Sequence, residues 1–368
     1  MPIGNPLTAV WEFDDSGSAY VNNTLEAQIE GGTAFELLGQ ATDFTYFGFS
    51  RRFDALMFVL AVTGSVGGVV WAYGASATSW IQFAPTRAYN LDSTPSYMLW
   101  DHRRSAVDTA WAAFAFDGTD PHPFAPPDTV SRFWIRVSAT TVTTPVTVAS
   151  VVCRPYTTYA TVEDVQRQLQ LRVAFSTTTT PTLSTVEDYL RGAEDYLVYQ
   201  MGRSWRVDFV EDELVNFNQY GMKLRREDII ELYELAVYDG SNFDAKITGR
   251  GDDYHFEELT GMIYVSTIFL DAMPPNFRRS YTKRREQGAF KRAVRVNYSW
   301  GKDISKHFLG VQVQRIATYK ACMDIVTNMD FSPLIPLGMD TVNLQQKVDN
   351  WTRDVQDFVE AHAKLRMA

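Results

Sequence analysis

The chain has 368 residues, 34 Lys and Arg against 44 Asp and Glu, a formal net charge of -10 and 45% hydrophobic residues. That length exceeds one typical core and predicts two domains, while the acidic balance excludes nonspecific nucleic-acid binding by the molecule as a whole, since phosphate attraction needs surplus Lys and Arg. Two cysteines, Cys153 and Cys322, without CxxC or Cys/His spacing, exclude a disulfide framework and a zinc site, and both read as buried thiols. Met1 to Thr8 shows no basic stretch followed by an apolar one, so no secretory signal is expected and synthesis in a cytoplasm follows. In such a product the Asn-x-Ser/Thr triplets at Asn22, Asn297 and Asn350 carry no weight.

From Trp11 to Tyr156, short apolar or alternating runs are broken every 8 to 15 residues by Gly, Pro, Asp or Asn, the spacing of a β-sandwich. Ala55 to Ala75 is free of charge for 21 residues, long enough to cross a bilayer. Its centre, Thr63-Gly64-Ser65-Val66-Gly67-Gly68, is a cluster of turn residues, so the segment reads as a buried hairpin of Phe53–Leu60 with Val69–Tyr73 and not as a membrane span. Alternation in Ser131–Val137 turns Phe133, Ile135 and Val137 inward, and Val146–Cys153 closes the sheet. Ser138 to Thr147, rich in Thr and Ser, suits exposed faces and turns. Trp71, Tyr73, Trp80, Trp100, Trp111, Phe133 and Trp134 are expected in the core, with a sugar-stacking platform and a protein interface as the competing assignments. Asp14, Asp15, Glu26, Glu30 and Glu36 hold enough carboxylates for a glycosidase pair, but only separation in space defines one.

The composition changes in the second half: no Lys occurs before Lys223, and helical periods begin after Tyr159. Thr161-Val162-Glu163-Asp164 opens one helix with Thr161 as N-cap. The same tetrapeptide recurs at Thr185–Asp188, where Ser184 or Thr185 is expected to cap a helix carrying Val186, Tyr189, Leu190, Ala193, Leu197 and Met201 on one face until Gly202 stops it. Between them, Ser176 to Pro181 is a polar loop. A third helix is expected at Arg226–Tyr238, with Ile229, Ile230, Leu232, Tyr233 and Val237 apolar, ended by Asp239-Gly240. Strands are expected at Tyr254–Phe256, Met262–Val265 and Ala293–Trp300, and helical spacing returns at Val313, Ile316, Ala317, Lys320, Met323 and Val326.

Thr161 to Leu171, Pro181-Thr182-Leu183, Val186-Glu187-Asp188-Tyr189, Ala193-Glu194, Gly202-Arg203-Ser204-Trp205-Arg206 and Tyr298-Ser299-Trp300-Gly301 follow one another in an ordered series. The series resembles the head-to-tail adaptor (head-completion, neck connector) proteins of tailed phages and tailed archaeal viruses, over residues 159–330. The resemblance implies a virion structural protein of the neck that forms a ring, commonly of twelve copies, docks on the portal protein and extends the DNA channel. It implies as partners the portal, a tail or neck completion protein, other copies of the chain, fibre or collar proteins through the N-terminal domain, and packaged DNA only through the channel, with no membrane. The expected fold class is a multidomain α and β protein: an all-β, jelly-roll-like sandwich at residues 1–158, a mainly α-helical adaptor domain with a small inserted sheet at 159–330, and a linker with a C-terminal docking helix at 331–368.

Two segments are candidates for contact. Arg278 to Lys306 holds ten Lys or Arg against Glu286 and Asp303, an inversion of the overall sign. Arg278, Arg279, Lys283, Arg284, Arg285, Lys291 and Arg292 form a basic patch that faces channel DNA, a neighbouring subunit or the portal, or is a solvated face. At the C-terminus, Phe331 to Gly338, with Pro333 and Pro336, reads as an extended linker. The following helix repeats Leu344, Val348, Trp351, Val355, Phe358 and Leu365 at alternating four and three residues, interrupted by His362. That narrow seam suits docking into a groove on the portal, or packing on its own domain.

Nothing catalytic is expected, and neither a cofactor nor a metal. His102, His122, His255, His307 and His362 are scattered, with no HExxH, Gly-x-Ser-x-Gly, P-loop or dinucleotide fingerprint. Arg250-Gly251-Asp252 reads as a turn, and Asp252, Asp253 and His255 fall short of a cation ligand set. The rival from another class is a receptor- or glycan-binding tail or fibre component that uses the sandwich.

Overall fold

The structure, a computed structural model, describes residues 4–16, 19–28, 32–85, 87–88, 91, 96–100, 111–116, 127–216, 221–238, 243–245, 254–265, 292–328 and 341–363. The chain divides into two compact units, Met1–Gln200 with Phe308–Ala363, and Met201–His307 with Lys364–Ala368. The 158/159 boundary expected from composition lies inside the first unit. Strand outweighs helix, with five helices among the described residues, so the expected fold class, with its mainly α-helical second half, is overturned.

Among its described residues the first unit begins with fourteen strands: β1 Asn5–Pro6, β2 Ala9–Asp14, β3 Ala19–Asn22, β4 Phe35–Leu38, β5 Phe44–Phe49, β6 Phe53–Val62, β7 Ser65–Gly67, β8 Val70–Ser76, β9 Ser79–Phe83, β10 Arg87–Ala88, β11 Ser96–Leu99, β12 Phe133–Ser138, β13 Thr141–Thr144 and β14 Val146–Pro155. One sheet runs β1-β14-β6-β11-β10 with β4 on β14, the other β3-β2-β5-β12-β8-β9, and β7 pairs with β13 apart from both. A short helix, α1 Thr24–Gln28, follows β3. Period-two alternation decides what each strand buries. Phe47 and Phe49 of β5, Ile135 and Val137 of β12, and Trp71 and Tyr73 of β8 enter one core with Leu56, Phe58 and Leu60 of β6 and Val146, Val148, Val151 and Cys153 of β14. The intervening residues of the second sheet, Phe13, Tyr46 and Trp134, build another aromatic cluster on its outer face.

β6 and β8 do not form the expected hairpin. β6 pairs with β14 and β11, and β8 with β12 and β9, so residues 63–69, which include β7, carry the chain from one sheet to the other. Two strongly apolar runs bury more surface facing each other across a core than side by side in one sheet, and Phe58 and Trp71 meet there with ring centroids 6.3 Å apart.

The same unit holds α2 Val162–Leu169, α3 Leu183–Met201 but for its last residue, α4 Gly310–Asn328 and α5 Thr341–His362. Thr161 and Asp164 complete a capping box at the start of α2. α3 starts a little earlier than expected: the Thr182 hydroxyl accepts from Thr185 N–H at 3.3 Å, so Thr182 takes the capping role assigned to Ser184 or Thr185.

The second unit is built on β15 Asp208–Val215, β16 Met222–Lys223, β17 Ile229–Tyr238, β18 Phe243–Ala245, β19 Tyr254–Glu257, β20 Met262–Val265 and β21 Val294–Trp300. They form sheets of order β15-β21-β17-β18 and β16-β20-β19. β17 occupies the span expected as a third helix. Its pairing with β21 slips between Ile229 and Glu231 and again between Leu232 and Glu234, leaving Ile230 and Tyr233 without opposite numbers. Each bulge adds one residue, so Ile229, Leu232 and Leu235, all buried, recur every three residues on a strand and imitate a helical period.

Candidate functional site

A network of buried charged residues lies within the first unit, where α3 meets the sandwich. The register between β6 and β14 shifts at Arg154/Pro155, which face Ala55 and Phe53, so Asp54 stands out of the ladder as a bulge. Bulges re-aim side chains. Here the Asp54 carboxylate receives Arg154 Nε at 2.6 Å and Arg191 Nη2 of α3 at 3.3 Å. Arg191 Nη1 also donates to the Tyr156 carbonyl at 3.1 Å, and its guanidinium lies 5.6 Å from the centroid of the Tyr156 ring. One turn before Arg191, Asp188 accepts the Tyr156 hydroxyl at 2.7 Å, and Glu187 pairs with Arg52 at 3.7 Å. Glu194, with no exposed surface, accepts the N–H groups of Thr158 and Tyr159, both at 2.6 Å.

Two carboxylates, Asp54 and Glu194, and two guanidinium groups, Arg154 and Arg191, taken out of water are tolerable only when each is paired or hydrogen-bonded. Each side chain at this joint has such partners, and they fix the strand-to-helix connection at residues 156–160 against α3. Sequence reasoning singled out Glu187, Asp188 and Glu194 as motif residues but missed Asp54, Arg154 and Arg191. A signal was present: lone charges inside the apolar runs Phe53–Leu60 and Val146–Pro155 are sites that need a buried partner.

A second set of motif residues meets in the second unit. Gly202 ends α3 with φ of 65°. Ser204 Oγ donates to the Arg206 carbonyl and shares a hydrogen bond with Asp208, both at 2.9 Å, and Arg206 Nε reaches Asp208 at 3.0 Å. Gly301, at φ 122°, lies so close that a Cβ there would sit 2.0 Å from the Arg206 oxygen. Lys302 N–H donates to the Ser204 carbonyl at 3.0 Å, and Trp205 Nε1 donates to His307 Nδ1 at 3.3 Å. Burial, with the neighbouring charges of Lys302 and Arg203, lowers the pKa of His307 and keeps it the acceptor. Gly202–Arg206 and Tyr298–Gly301, far apart in sequence, are thus one contact. In the first unit Asp164 of the Thr161 box receives Gln314 of α4 at 2.9 Å. Burial there is outweighed by the hydrogen bonds from Gln314 and Thr161 and the charge of Arg167, leaving its pKa below the ordinary range.

Of the C-terminal seam, Trp351, Val355 and Phe358 are buried, and α5 packs on α4 of the same chain, with the Trp351 and Tyr319 rings stacked at 5.9 Å. Val348 is half-buried; the side chain of Leu344 and all of Leu365 lie outside the described residues. So do Arg278, Arg279, Lys283, Arg284, Arg285 and Lys291, the linker 331–338, Glu30, His102, His122, Asp239-Gly240 and Arg250 to Asp253. Arg292 is described, at φ 56°, with its N–H donating to Asn216 at 2.9 Å. Trp71, Tyr73, Trp100 and Trp111 are buried between the sheets with Phe133 packed against them, while Trp134 and the half-buried Trp80 belong to the outer cluster. Asp14 accepts from Ser16 in the turn after β2, Glu26 lies on α1 and Glu36 on β4. Among the described residues no group of His, Cys, Asp and Glu is placed to hold a metal ion, and no helix is long and apolar enough to cross a membrane.

No family model matches the chain, and no curated protein does. Among solved structures, a chain from one described as "Neck of empty GTA particle computed with C6 symmetry" is similar over 52% of this chain and 87% of its own, at 13% identity and a TM-score of 0.30.

Proposed function

We propose that this chain is a structural, non-catalytic subunit of a virion neck, a head-to-tail adaptor that assembles as a ring on the portal and carries its sandwich as a fixed module. The observation that carries this reading is the ordered series of adaptor-like motifs, of which Gly202–Arg206 and Tyr298–Gly301 meet in space and the others are held by contacts within the fold. Its Glu187, Asp188 and Glu194 hold the sandwich, its Asp164 ties α2 to α4, and its Gly202–Arg206 block closes on Gly301. These are joints of a load-transmitting part, in which carboxylates are consumed by structural contacts.

Docking through the C-terminal seam itself requires α5 to leave α4, because the centre of the seam is covered within the subunit. The reading that needs no such exchange keeps α5 in place. Sedimentation of the full chain with purified portal protein of the same virus tests the proposal. Comigration in a fixed ratio at micromolar concentrations is expected; independent sedimentation of the two refutes the adaptor assignment.

A further inference from the structure

We propose that Arg136 anchors a binding site for an acidic sugar on the outer face of the β3-β2-β5-β12-β8-β9 sheet, walled by Phe44, Trp80 and Tyr20. The inference stands on its own geometry and goes beyond the neck assignment. Alternation along β12 sends Ile135 and Val137 into the inter-sheet core and Trp134 and Arg136 to the opposite face. Phe44 and Tyr46 of β5, Tyr20 of β3 and Trp80 of β9 converge on the same face. The guanidinium carbon of Arg136 lies 5.0 Å from the Phe44 ring centroid and 4.7 Å from that of Trp80. Tyr46, fully buried beneath, hydrogen-bonds to it, with its own ring 5.4 Å from Trp80 and 6.2 Å from Tyr20.

Arg136 is a cation partly withdrawn from water with no carboxylate acting on it among the described residues; its polar neighbours are the phenols of Tyr46 and Tyr20, which burial keeps neutral. Burial lowers its pKa, offset in part by those phenols, yet a guanidinium stays charged at neutral pH. Phenol and π-faces solvate such a charge only in part, so the site favours an incoming anion. The guanidinium lies over the Phe44 and Trp80 rings, and the planar fork of N–H donors that a guanidinium carries matches a carboxylate. Arg136, Phe44, Trp80 and Tyr20 are each half-buried and so reachable from solvent. Aromatic faces flanking one carboxylate-binding group fit a pyranose ring that bears an acid, with ring C–H groups against Trp80 or Phe44 and the carboxylate on Arg136.

The test is calorimetric titration of the full chain with sialylated and uronic-acid oligosaccharides, their neutral counterparts, and acetate. Saturable binding of an acidic oligosaccharide is expected, with the neutral sugar and acetate weaker by about tenfold or more. Arg136→Met, which keeps the apolar stem, should weaken binding by about ten- to a hundredfold. Trp80→Ala, on the edge strand β9, should weaken it as well and serves where Arg136→Met disturbs the fold, as judged by near-ultraviolet circular dichroism. Equal response to acidic and neutral sugars, binding of acetate as tight as that of the oligosaccharide, or undiminished binding by the folded variants overturns the proposal. None of these outcomes bears on ring assembly, which the sedimentation experiment reads separately.

Discussion

Asp54 illustrates how one side chain decides a local structure. It sits between Arg154 and Arg191, all three less than a tenth exposed, and removing it strands two guanidinium groups away from water. Asp54→Ala should therefore lower unfolding stability by about 3–5 kcal/mol in chemical denaturation, and a loss below about 1 kcal/mol, the scale of an exposed pair, would mean the joint is solvated. Glu12 behaves in the opposite sense. Burial raises its pKa from 4.5 to about 7, against the hydrogen bond from Asn23 and with repulsion from Glu36, Asp43 and Asp14. A carboxyl whose folded pKa is raised binds more protons folded than unfolded between those values, so its contribution falls as pH rises from about 4.5 to about 7. Glu12→Gln should thus be more stable than the parent at pH 8, by at most on the order of 3 kcal/mol, and converge with it near pH 4. A difference that does not vary with pH contradicts the assignment. In the sequence Asp54 shows as a lone charge in an apolar run that does not name its partners, and Glu12 is shifted chiefly by burial, with Glu36 and Asp43 reaching it from other segments.

At the scale of elements, legibility followed how local the deciding interactions are. The capping box of α2 is written in four consecutive residues, and Phe133–Val137 shows a simple alternation that survives folding. β17 does not. Its two bulges depend on pairing with β21, more than fifty residues away, and they convert a strand's periodicity into an apparent helix. The opposite sheets of β6 and β8 are likewise a long-range choice, set by burial across the core, which turn residues alone do not report. For α5 the seam was legible but not what covers it. Since Trp351 stacks on Tyr319 with 5% of its surface exposed, Trp351→Ala should cost about 3–5 kcal/mol of stability in the isolated subunit. Thermal or denaturant unfolding checks this, and an unchanged midpoint would mean that the seam is free for a partner.

For the whole molecule, the consequence of the joint is that the sandwich belongs to the same compact unit as α2, α4, α5 and nearly all of α3, and is not a module on a tether. Composition could mark where the residue usage changes, but not that Arg52, Asp54 and Tyr156 would be bound by Glu187, Asp188 and Arg191 across that change. An adaptor built this way should present its sandwiches in register around a ring. The most direct measurement is electron microscopy of the full chain, alone and mixed with portal protein. A closed ring with an axial channel is expected, coaxial with the portal when present, in which the sandwiches are as well defined as the helices they are joined to. A subunit that stays monomeric in both preparations, or a trimer of the kind that fibres and spikes form, would contradict it.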